Sequence, residues 1–308
     1  MQIIEDIVVS GWGFEVPSYG PGDQLTGLLA SDPAGAEFDP KSLLGRKGLR
    51  FKDRATQLAL CAALKALRHA NLPETRDEQI APDLFGAVVS SNFGNVDTVC
   101  SVLDVIREQG ASKASAMALP NASSNIVAST LAIRFGLKGM NLFVSNGSTS
   151  GLDAIQVAAN AIRTGRATRM LVVGVEPANE YTQQLAQMVN LSAFDGAAAL
   201  VIESKDAALA RSHKPHGRLG SYDFSPNTEY VSTRAPALSP IMVDPHSPRG
   251  CKPMNHAYGA WGQLGVILAM ESLTSQPRDH FVAASGKAWG DSVSTGLFIH
   301  PPEEGTSC

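Results

Sequence analysis

The stretch from Met140 to Ala178, MNLFVSNGSTSGLDAIQVAANAIRTGRATRMLVVGVEPA, decides the fold of this chain. Its pattern predicts a short strand over Asn141–Ser145, a turn at Asn146-Gly147-Ser148, a helix over Gly151–Thr164 and a strand over Met170–Val175 that is buried on both faces. Such a unit places Ser148 at a helix N-terminus, where unpaired N–H groups and the helix dipole favour developing negative charge. The sequence therefore predicts an α/β fold with a candidate reactive position at Ser148.

Composition excludes several classes of function. The chain has 308 residues, 44% of them hydrophobic, and a formal net charge of −4, which gives no electrostatic reason to expect nucleic acid or an anionic membrane as a partner. The four cysteines show no CxxC spacing, so we expect a reduced cytoplasmic protein without a metal site. The start of the sequence, MQIIEDIVVSGWGF, lacks the basic region of a signal peptide, and no apolar run approaches the ~20 residues of a membrane span.

The stretch Met140–Ala178 resembles the nucleophile elbow of the β-ketoacyl-ACP synthases, which belong to the thiolase-like family. There a Cys in an A-C-S/T-S-G context begins a buried helix, and a strand of the type G-x-A/D-x-x-M/L-V-V-G-G-A/V-E follows. In this sequence Ser148 stands where the family keeps its Cys. Gly151-Leu152-Asp153-Ala154 is similar to the G-L-D-A of chain-length factors, the partner subunits of type II polyketide ketosynthases that have lost the nucleophile.

The resemblance extends over most of the chain. Asp53-Arg54 and the Ala/Leu-rich segment Ala55–Leu67 are similar to the D-R-x-x-x-L-A-L-x-A-A helix, and Phe194–Glu203 is similar to the G-E-G-A-G-x-L-V-L-E strand. It implies a thiolase-like fold of two αβ halves packed in layers (αβαβα), with the second half shortened. We expect an N-terminal half over residues 1–205 that carries the elbow and a truncated C-terminal half over 206–308, within a single compact unit.

The sequence departs most from the family between Glu203 and Lys252. The family's E-x-H-G-T-G-T motif, which carries the first catalytic His, has no counterpart there. Three histidines do lie in this gap, in loop-like sequence, and we expect them to have surface roles: His213, His216 and His246.

Lys252 and His256 resemble the Lys and second His of the family's K-x-x-x-G-H-x-x-G-A-A-G motif, with the spacing one residue shorter. They are catalytic candidates in the same sense as Ser148, as vestigial or alternative groups, and His256 fits a core residue equally well. The loop Gly286–Asp291 replaces the G-F-G-G loop that gates substrate entry in active enzymes.

A condensing enzyme needs a thiolate and two histidines, and a serine hydroxyl is a far weaker nucleophile than a thiolate. We therefore predict a non-catalytic chain-length-factor-like subunit, inactive by itself, that pairs with an active ketosynthase. The heterodimer would be a β-ketoacyl-ACP synthase. This chain would shape the acyl tunnel and limit polyketide length during decarboxylative Claisen condensation on acyl carrier protein, in a system making highly reduced or polyene chains.

The resemblance also implies which residues meet the substrate and the partner. The region after the strand Phe85–Ser91 lies at the family's dimer interface, beside the acyl tunnel. The side chains expected to line the tunnel or interface are Phe93, Val96, Val99, Leu103, Ile106, Asn121 and Asn125. No cofactor is implied beyond the phosphopantetheine that arrives on the carrier protein, because the sequence has no phosphate-binding glycine loop and no metal-ligand spacing.

Two alternatives stay open. In the first, Ser148 is the nucleophile of a ketosynthase-like acyltransferase, His256 is its base and the helix N-terminus is its oxyanion hole. In the second, the chain is a degenerate scaffold that only stabilises its partner.

Overall fold

The structure is a computed structural model, and it describes residues 6–17, 25, 38–117, 119–188, 193–225, 240–242, 257–275, 280–286 and 293–302.

Nine strands form one mixed sheet in this part of the chain. Their bounds are β1 Ile7–Glu15, β2 Phe85–Ser90, β3 Asn141–Val144, β4 Arg169–Glu176, β5 Gly196–Ser204, β6 Gly217–Ser225, β7 Pro240–Met242, β8 His280–Gly286 and β9 Val293–His300. The strand order is β3-β2-β4-β5-β1-β6-β9-β8-β7, and β3, β2 and β4 run parallel to one another. The predicted strand over Met170–Val175 is confirmed as β4, which is buried along its whole length.

Helices cover both faces of the sheet. Their bounds are α1 Pro40–Leu44, α2 Arg54–His69, α3 Val96–Gln109, α4 Ile126–Phe135, α5 Ser150–Arg163, α6 Glu180–Met188, α7 Lys205–Ala210 and α8 Tyr258–Ser275. The sequence predicted α5 to within one residue at each end, because its apolar residues recur at helical spacing between Gly147 and Gly165, both of which have positive φ.

The helices α5 and α8 form the inner layer. Because α8 is apolar on all sides, it is buried from Tyr258 to Met270, and it contacts both β4 and β8. The outer helices α2 and α4 pack on the other face of the sheet, in a second apolar cluster that includes Phe85 and Phe135. The protein thus has the predicted α/β class and the thiolase-like arrangement, with an inner helix pair that lies between strands of both parts of the chain.

Two local sequence patterns predict the wrong bounds. The apolar run up to Gly13 predicts a strand that ends in a glycine turn there, but β1 continues to Glu15 and pairs with β5 as far as Ala197. Pro120-Asn121 predicts the opening of a helix, but α4 begins at Ile126, because residues Leu119–Ala122 form a separate 3-10 turn. The division of the chain at residue 205 stays a prediction, although β1 and β6 join strands of both parts in one sheet.

None of the helices in the described ranges combines the length and the apolar character that a membrane-spanning helix requires.

Candidate functional site

Three parallel strands end side by side where the predicted elbow lies. Ser90, the last residue of β2, pairs with Val144 of β3 on one side and with Gly174 of β4 on the other. Functional groups in α/β sheets gather beyond the carboxyl ends of parallel strands. The segment after β2 and the turn after β3 both leave the sheet at this edge, so the topology brings them together.

The elbow is a 3-10 turn over Gly147–Thr149 that runs directly into α5. Gly147 has a φ of +70°, a conformation that a residue without a side chain adopts easily. The backbone N–H of Asn146 donates to Ser150 Oγ (2.6 Å), and the Ser150 hydroxyl donates to the carbonyl of Gly147 (2.8 Å). One hydroxyl therefore holds the turn closed just before the helix.

Ser148 lies at the centre of this turn and is 8% exposed. Its place at the start of a 14-residue helix agrees with the sequence prediction, and the positive end of the helix dipole lies beside it. The geometry would favour an oxyanion here, while the hydroxyl itself has little nucleophilic strength without a base. The role of Ser148 stays a prediction.

Asp153, one turn into α5, accepts hydrogen bonds from residues of the elbow. Its Oδ2 accepts hydrogen bonds from Thr149 Oγ1 (2.8 Å) and Asn146 Nδ2 (2.7 Å), and its Oδ1 accepts one from the hydroxyl of Tyr222 on β6. Burial and the neighbouring carboxylate raise the pKa of Tyr222, so the phenol stays a donor. A strand from the second part of the chain thus contributes to the position of the elbow.

Asn92 clamps the elbow from the side of β2. Its Nδ2 donates to the carbonyl of Gly147 (3.0 Å) and its Oδ1 accepts from the N–H of the same residue (2.9 Å). Both backbone groups of the residue before Ser148 are therefore bonded to one side chain.

Glu176 ends β4 and is buried beneath Asn92. Its Oε1 accepts from the N–H of Asn92 (2.8 Å) and of Gly259 (2.9 Å), and its Oε2 accepts from the N–H of Phe93 (3.1 Å). Two side-chain donors complete the set, Ser91 Oγ and Asn92 Nδ2, each at 3.2 Å. Burial raises the pKa of Glu176 to about 7, although the donated hydrogen bonds act in the opposite direction.

No sequence pattern assigned Asn92, Asp153 or Glu176 to the site. Two signals were present, since Asp153 belongs to the quoted G-L-D-A and Glu176 directly follows the apolar run Met170–Val175. A carboxylate in such a strand is rarely buried without dedicated partners.

Most of the expected tunnel and interface residues lie on or beside α3. Phe93 precedes that helix, and its ring packs edge-on against Tyr258 with centroids 5.9 Å apart. The helix has no buried residue; Leu103 is 57% exposed and Ile106 is 38% exposed, while Val96 and Val99 are half-buried. The helix therefore presents apolar side chains that the described part of this chain does not cover.

Asn121 and Asn125 lie apart from the elbow turn. Asn121 is buried and donates to the carbonyl of Phe51, whereas Asn125 precedes α4 and bonds to Ser123 (2.5 Å) and Ser129 (3.3 Å). Both asparagines hold loop structure, and their expected roles at a tunnel or interface stay predictions.

Lys252, His256 and His246 lie outside the described residues. The expectation of a surface role was wrong for His213, which is 8% exposed with its Nε2 bonded to the carbonyl of Ser10 (2.7 Å). His216 is half-buried, its ring packs against Trp12 (4.7 Å between centroids) and His69 (4.5 Å), and burial lowers its pKa to about 4.

This histidine cluster adjoins a buried ion pair. Ser10 donates to Glu203, which pairs with Arg169, the first residue of β4 (2.8 Å). The elbow adjoins the other end of that eight-residue strand, so the ion pair and the elbow are roughly 20 Å apart. In the described ranges no three His, Cys, Asp or Glu side chains form a group that could hold a metal ion.

Comparisons with known proteins agree with this geometry. Residues 6–207 match the family described as "Beta-ketoacyl synthase, N-terminal domain". A 3-oxoacyl-[acyl-carrier-protein] synthase 2 from Vibrio harveyi is 26% identical over 220 residues, which are 64% of this chain and 52% of that protein. The chain thus spans about half the length of this curated relative.

Two solved structures share the fold over 96% of this chain and 99% of theirs. One is described as the ishigamide ketosynthase/chain length factor (TM-score 0.73, 20% identity). The other is a type II polyketide synthase acyl-carrier protein in complex with its ketosynthase bound to the hexaketide (TM-score 0.78, 17% identity). With the elbow at the end of three parallel strands and a family match over two thirds of its length, this chain belongs to the β-ketoacyl synthase family.

Proposed function

We propose that this chain is a non-catalytic, chain-length-factor-like subunit that pairs with an active ketosynthase and limits the length of the acyl chain built on acyl carrier protein. The observation that carries the proposal is Ser148 at the elbow, in the place of the family's nucleophilic Cys. The family's condensing enzymes accept the acyl group on a thiolate, and a serine hydroxyl without an activating base is a far weaker nucleophile. The missing E-x-H-G-T-G-T motif supports the same proposal, since decarboxylation in the family uses its histidine.

An uncovered apolar surface supports a protein partner. β3 is the end strand of the described sheet, and an edge strand offers unpaired backbone groups to another chain. Leu142 on β3 is 42% exposed and Ile133 on the adjacent α4 is 69% exposed. Large apolar side chains exposed beside a sheet edge are typical of a subunit interface. Leu103 on α3, which is 57% exposed, adds a further uncovered apolar side chain.

A cationic surface supports the carrier protein as a transient partner. Arg46, Lys47 and Arg50 are all exposed in the linker between α1 and α2. A cleft of about 570 Å³ adjoins this linker, and its charged lining comprises Lys47, Lys52, Arg76, Arg134, Glu74 and Asp77. With four cationic and two anionic side chains, the cleft has a net positive lining, which would attract an anionic phosphodiester such as that of the phosphopantetheine arm.

The acyltransferase alternative has one observation in its favour. Ser148 is buried at the N-terminus of α5, where backbone dipoles would stabilise an oxyanion. In this alternative Ser148 accepts the acyl group and His256 removes its proton. The chain would then turn over without a ketosynthase.

Intact-mass analysis distinguishes the chain-length-factor-like subunit from the acyltransferase. The chain is incubated with acyl-carrier-protein substrate and malonyl carrier protein, by itself and together with the ketosynthase encoded beside it. We expect acylation only on the partner's Cys and elongation only in the mixture. An acyl adduct that disappears in Ser148→Ala but persists in Ser145→Ala, an exposed serine of the same turn, would establish the acyltransferase instead.

A further inference from the structure

Three separate segments meet at the carboxylate of Glu176, behind the elbow. It bonds to the segment after β2 through Ser91, Asn92 and Phe93, and to the start of α8 through Gly259. Each of these groups donates a hydrogen bond to Glu176, and three of the donors are backbone N–H groups. A carboxylate satisfies all of them together, whereas the hydroxyl of a protonated acid would be directed at another donor.

The start of α8 lies very close to the segment after β2, and Glu176 holds the two together. A Cβ added to Gly259 would lie 2.6 Å from Ser91 Cα and 2.7 Å from Glu176 Oε1. The backbones of α8 and of the segment after β2 are therefore nearly in contact, with the carboxylate in the gap. Without it, the buried N–H groups of Phe93 and Gly259 would lose their partner, which is costly in an apolar interior.

Two of the three backbone N–H groups that bond to Glu176, those of Phe93 and Gly259, belong to or adjoin an aromatic pair. Phe93 carries one ring, and Tyr258, the neighbour of Gly259, carries the other; the rings meet edge-on at an interplanar angle of 76°. Tyr258 has a φ of +22°, an unfavourable conformation for a residue with a side chain. Such a conformation persists only where its surroundings hold it, and the bond from Gly259 to Glu176 is the adjacent restraint.

Asn92 links the Glu176 carboxylate to the elbow. Asn92 bonds to Glu176 with its N–H and its Nδ2, and it bonds to both backbone groups of Gly147 with its side chain. Displacement of Asn92 would release the residue before Ser148. Glu176 thus acts on the two rings through the backbone N–H groups of Phe93 and Gly259, and on the elbow through Asn92.

We propose that Glu176 is a positioning residue that fixes Phe93 and Tyr258 at the wall of the acyl tunnel and so determines how sharply the tunnel limits chain length. The placement of Phe93 at that wall rests on the proposed function. The mechanism is geometric: the buried Glu176 side chain accepts hydrogen bonds from the N–H groups of Phe93 and Gly259, and these bonds fix the backbone at the two rings.

Glu176→Gln tests this without a change of size. The Gln amide keeps one acceptor oxygen but turns its NH₂ group toward N–H donors, so at least one donor loses its bond. Glu180→Gln, four residues further along and exposed at the start of α6, is the matched control. Ser91→Ala removes one of the five donors and keeps the backbone bonds, so it provides a second, milder variant.

The first readout is amide hydrogen exchange, which requires no activity. In Glu176→Gln we expect the amides of Phe93 and Gly259 to exchange about tenfold faster, as loss of a buried bond to a charged acceptor implies, with α2 and β4 unchanged. Ser91→Ala should give a smaller increase at the same amides, and Glu180→Gln none. Unchanged exchange in Glu176→Gln overturns the proposal. If that variant does not fold, unchanged exchange in Ser91→Ala overturns it.

The second readout is the product length made with the ketosynthase and carrier protein. We expect Glu176→Gln to broaden the distribution toward longer products, in the same direction as Phe93→Ala. A shift with Phe93→Ala but none with Glu176→Gln overturns this inference and leaves the proposed function intact. A wild-type chain that imposes no product length overturns the proposed function itself, before any variant is compared.

Discussion

The backbones of Gly151 and Gly262 touch where α5 crosses α8. A Cβ on Gly262 would lie 2.3 Å from the carbonyl carbon of Gly151, and a Cβ on Gly151 would lie 2.4 Å from the nitrogen of Gly262. This contact sets the position of the helix that begins at the elbow relative to the helix whose Gly259 bonds to Glu176.

Gly262→Ala should therefore destabilise the protein, by about 3 kcal/mol or more, because the clash is with backbone and not with a flexible side chain. Gly265→Ala on the same helix is the comparison, since its Cβ would meet side-chain atoms, Val282 Cγ1 at 2.5 Å and Trp261 Cζ2 at 3.4 Å, and no backbone. Urea denaturation measures both free energies of unfolding. Equal losses in the two variants would contradict the close helix crossing.

Tyr222→Phe should cost about 1.5–3 kcal/mol of stability, because it removes a hydrogen bond to a carboxylate that also holds Thr149 and Asn146. Asp153→Asn should cost more, since all three bonds are affected. In the double variant the losses should not add, because both changes break the bond between Tyr222 and Asp153. Additive losses would show that the two residues act independently.

His216→Phe should reduce the sensitivity of the protein to acid. The folded pKa is about 4, and an unfolded histidine titrates near 6.5, so between these values the unfolded state binds more protons. The contribution is therefore complete above about pH 6.5 and is lost as the pH falls toward 4. At pH 5 we expect the wild type to have lost about 2 kcal/mol relative to pH 7.5 through this group.

Urea denaturation at both pH values measures this difference, with His300→Gln at the end of β9 as the control. The Nε2 of His216 is buried and has no hydrogen-bond partner in the described part of the chain, so Phe removes a polar atom at little cost. An identical pH dependence in His216→Phe and wild type would refute the assignment.

Leu142→Lys should weaken association with the ketosynthase at least tenfold, because it places a charge on the exposed edge strand β3. The folded chain itself should be unaffected. Leu209→Lys is the control, because Leu209 is also exposed (55%, against 42% for Leu142) but lies on α7. Sedimentation of the mixed subunits gives both dissociation constants, and equal values would exclude this edge as the interface.

Phe93→Ala and Leu103→Ala separate the two roles that the sequence analysis assigned to the region around α3. We expect Phe93→Ala to lengthen the products, because its ring packs inward on Tyr258. Leu103 is mostly exposed in this chain, so its truncation should lengthen products only if the partner completes the tunnel around it. Product mass spectra decide this, and unchanged products from both variants would refute the placement.

Local patterns were enough to predict the elements around the elbow. The strand β4 and the helix α5 follow from one apolar run and one helical period between glycines, and these signals lie within 39 consecutive residues. The start of α2 was also recognisable from its Asp53-Arg54 and Ala/Leu-rich sequence, and there the structure adds a local cap, since the Asp53 side chain accepts from the N–H of Thr56. The prediction was wrong for His213, because its burial depends on Ser10, which is 203 positions away.

The sequence by itself determined the family, the serine at the elbow and the bounds of the surrounding elements, because periodicity and turn residues act between near neighbours. Only the tertiary structure decided which polar side chains support the elbow. Glu176 meets Asn92 and Gly259, which are 84 and 83 positions away in the sequence, and Asp153 meets Tyr222 at a separation of 69. Such partners are selected by the order of strands in the sheet and by the crossing of two helices, and neither leaves a repeating pattern along the chain.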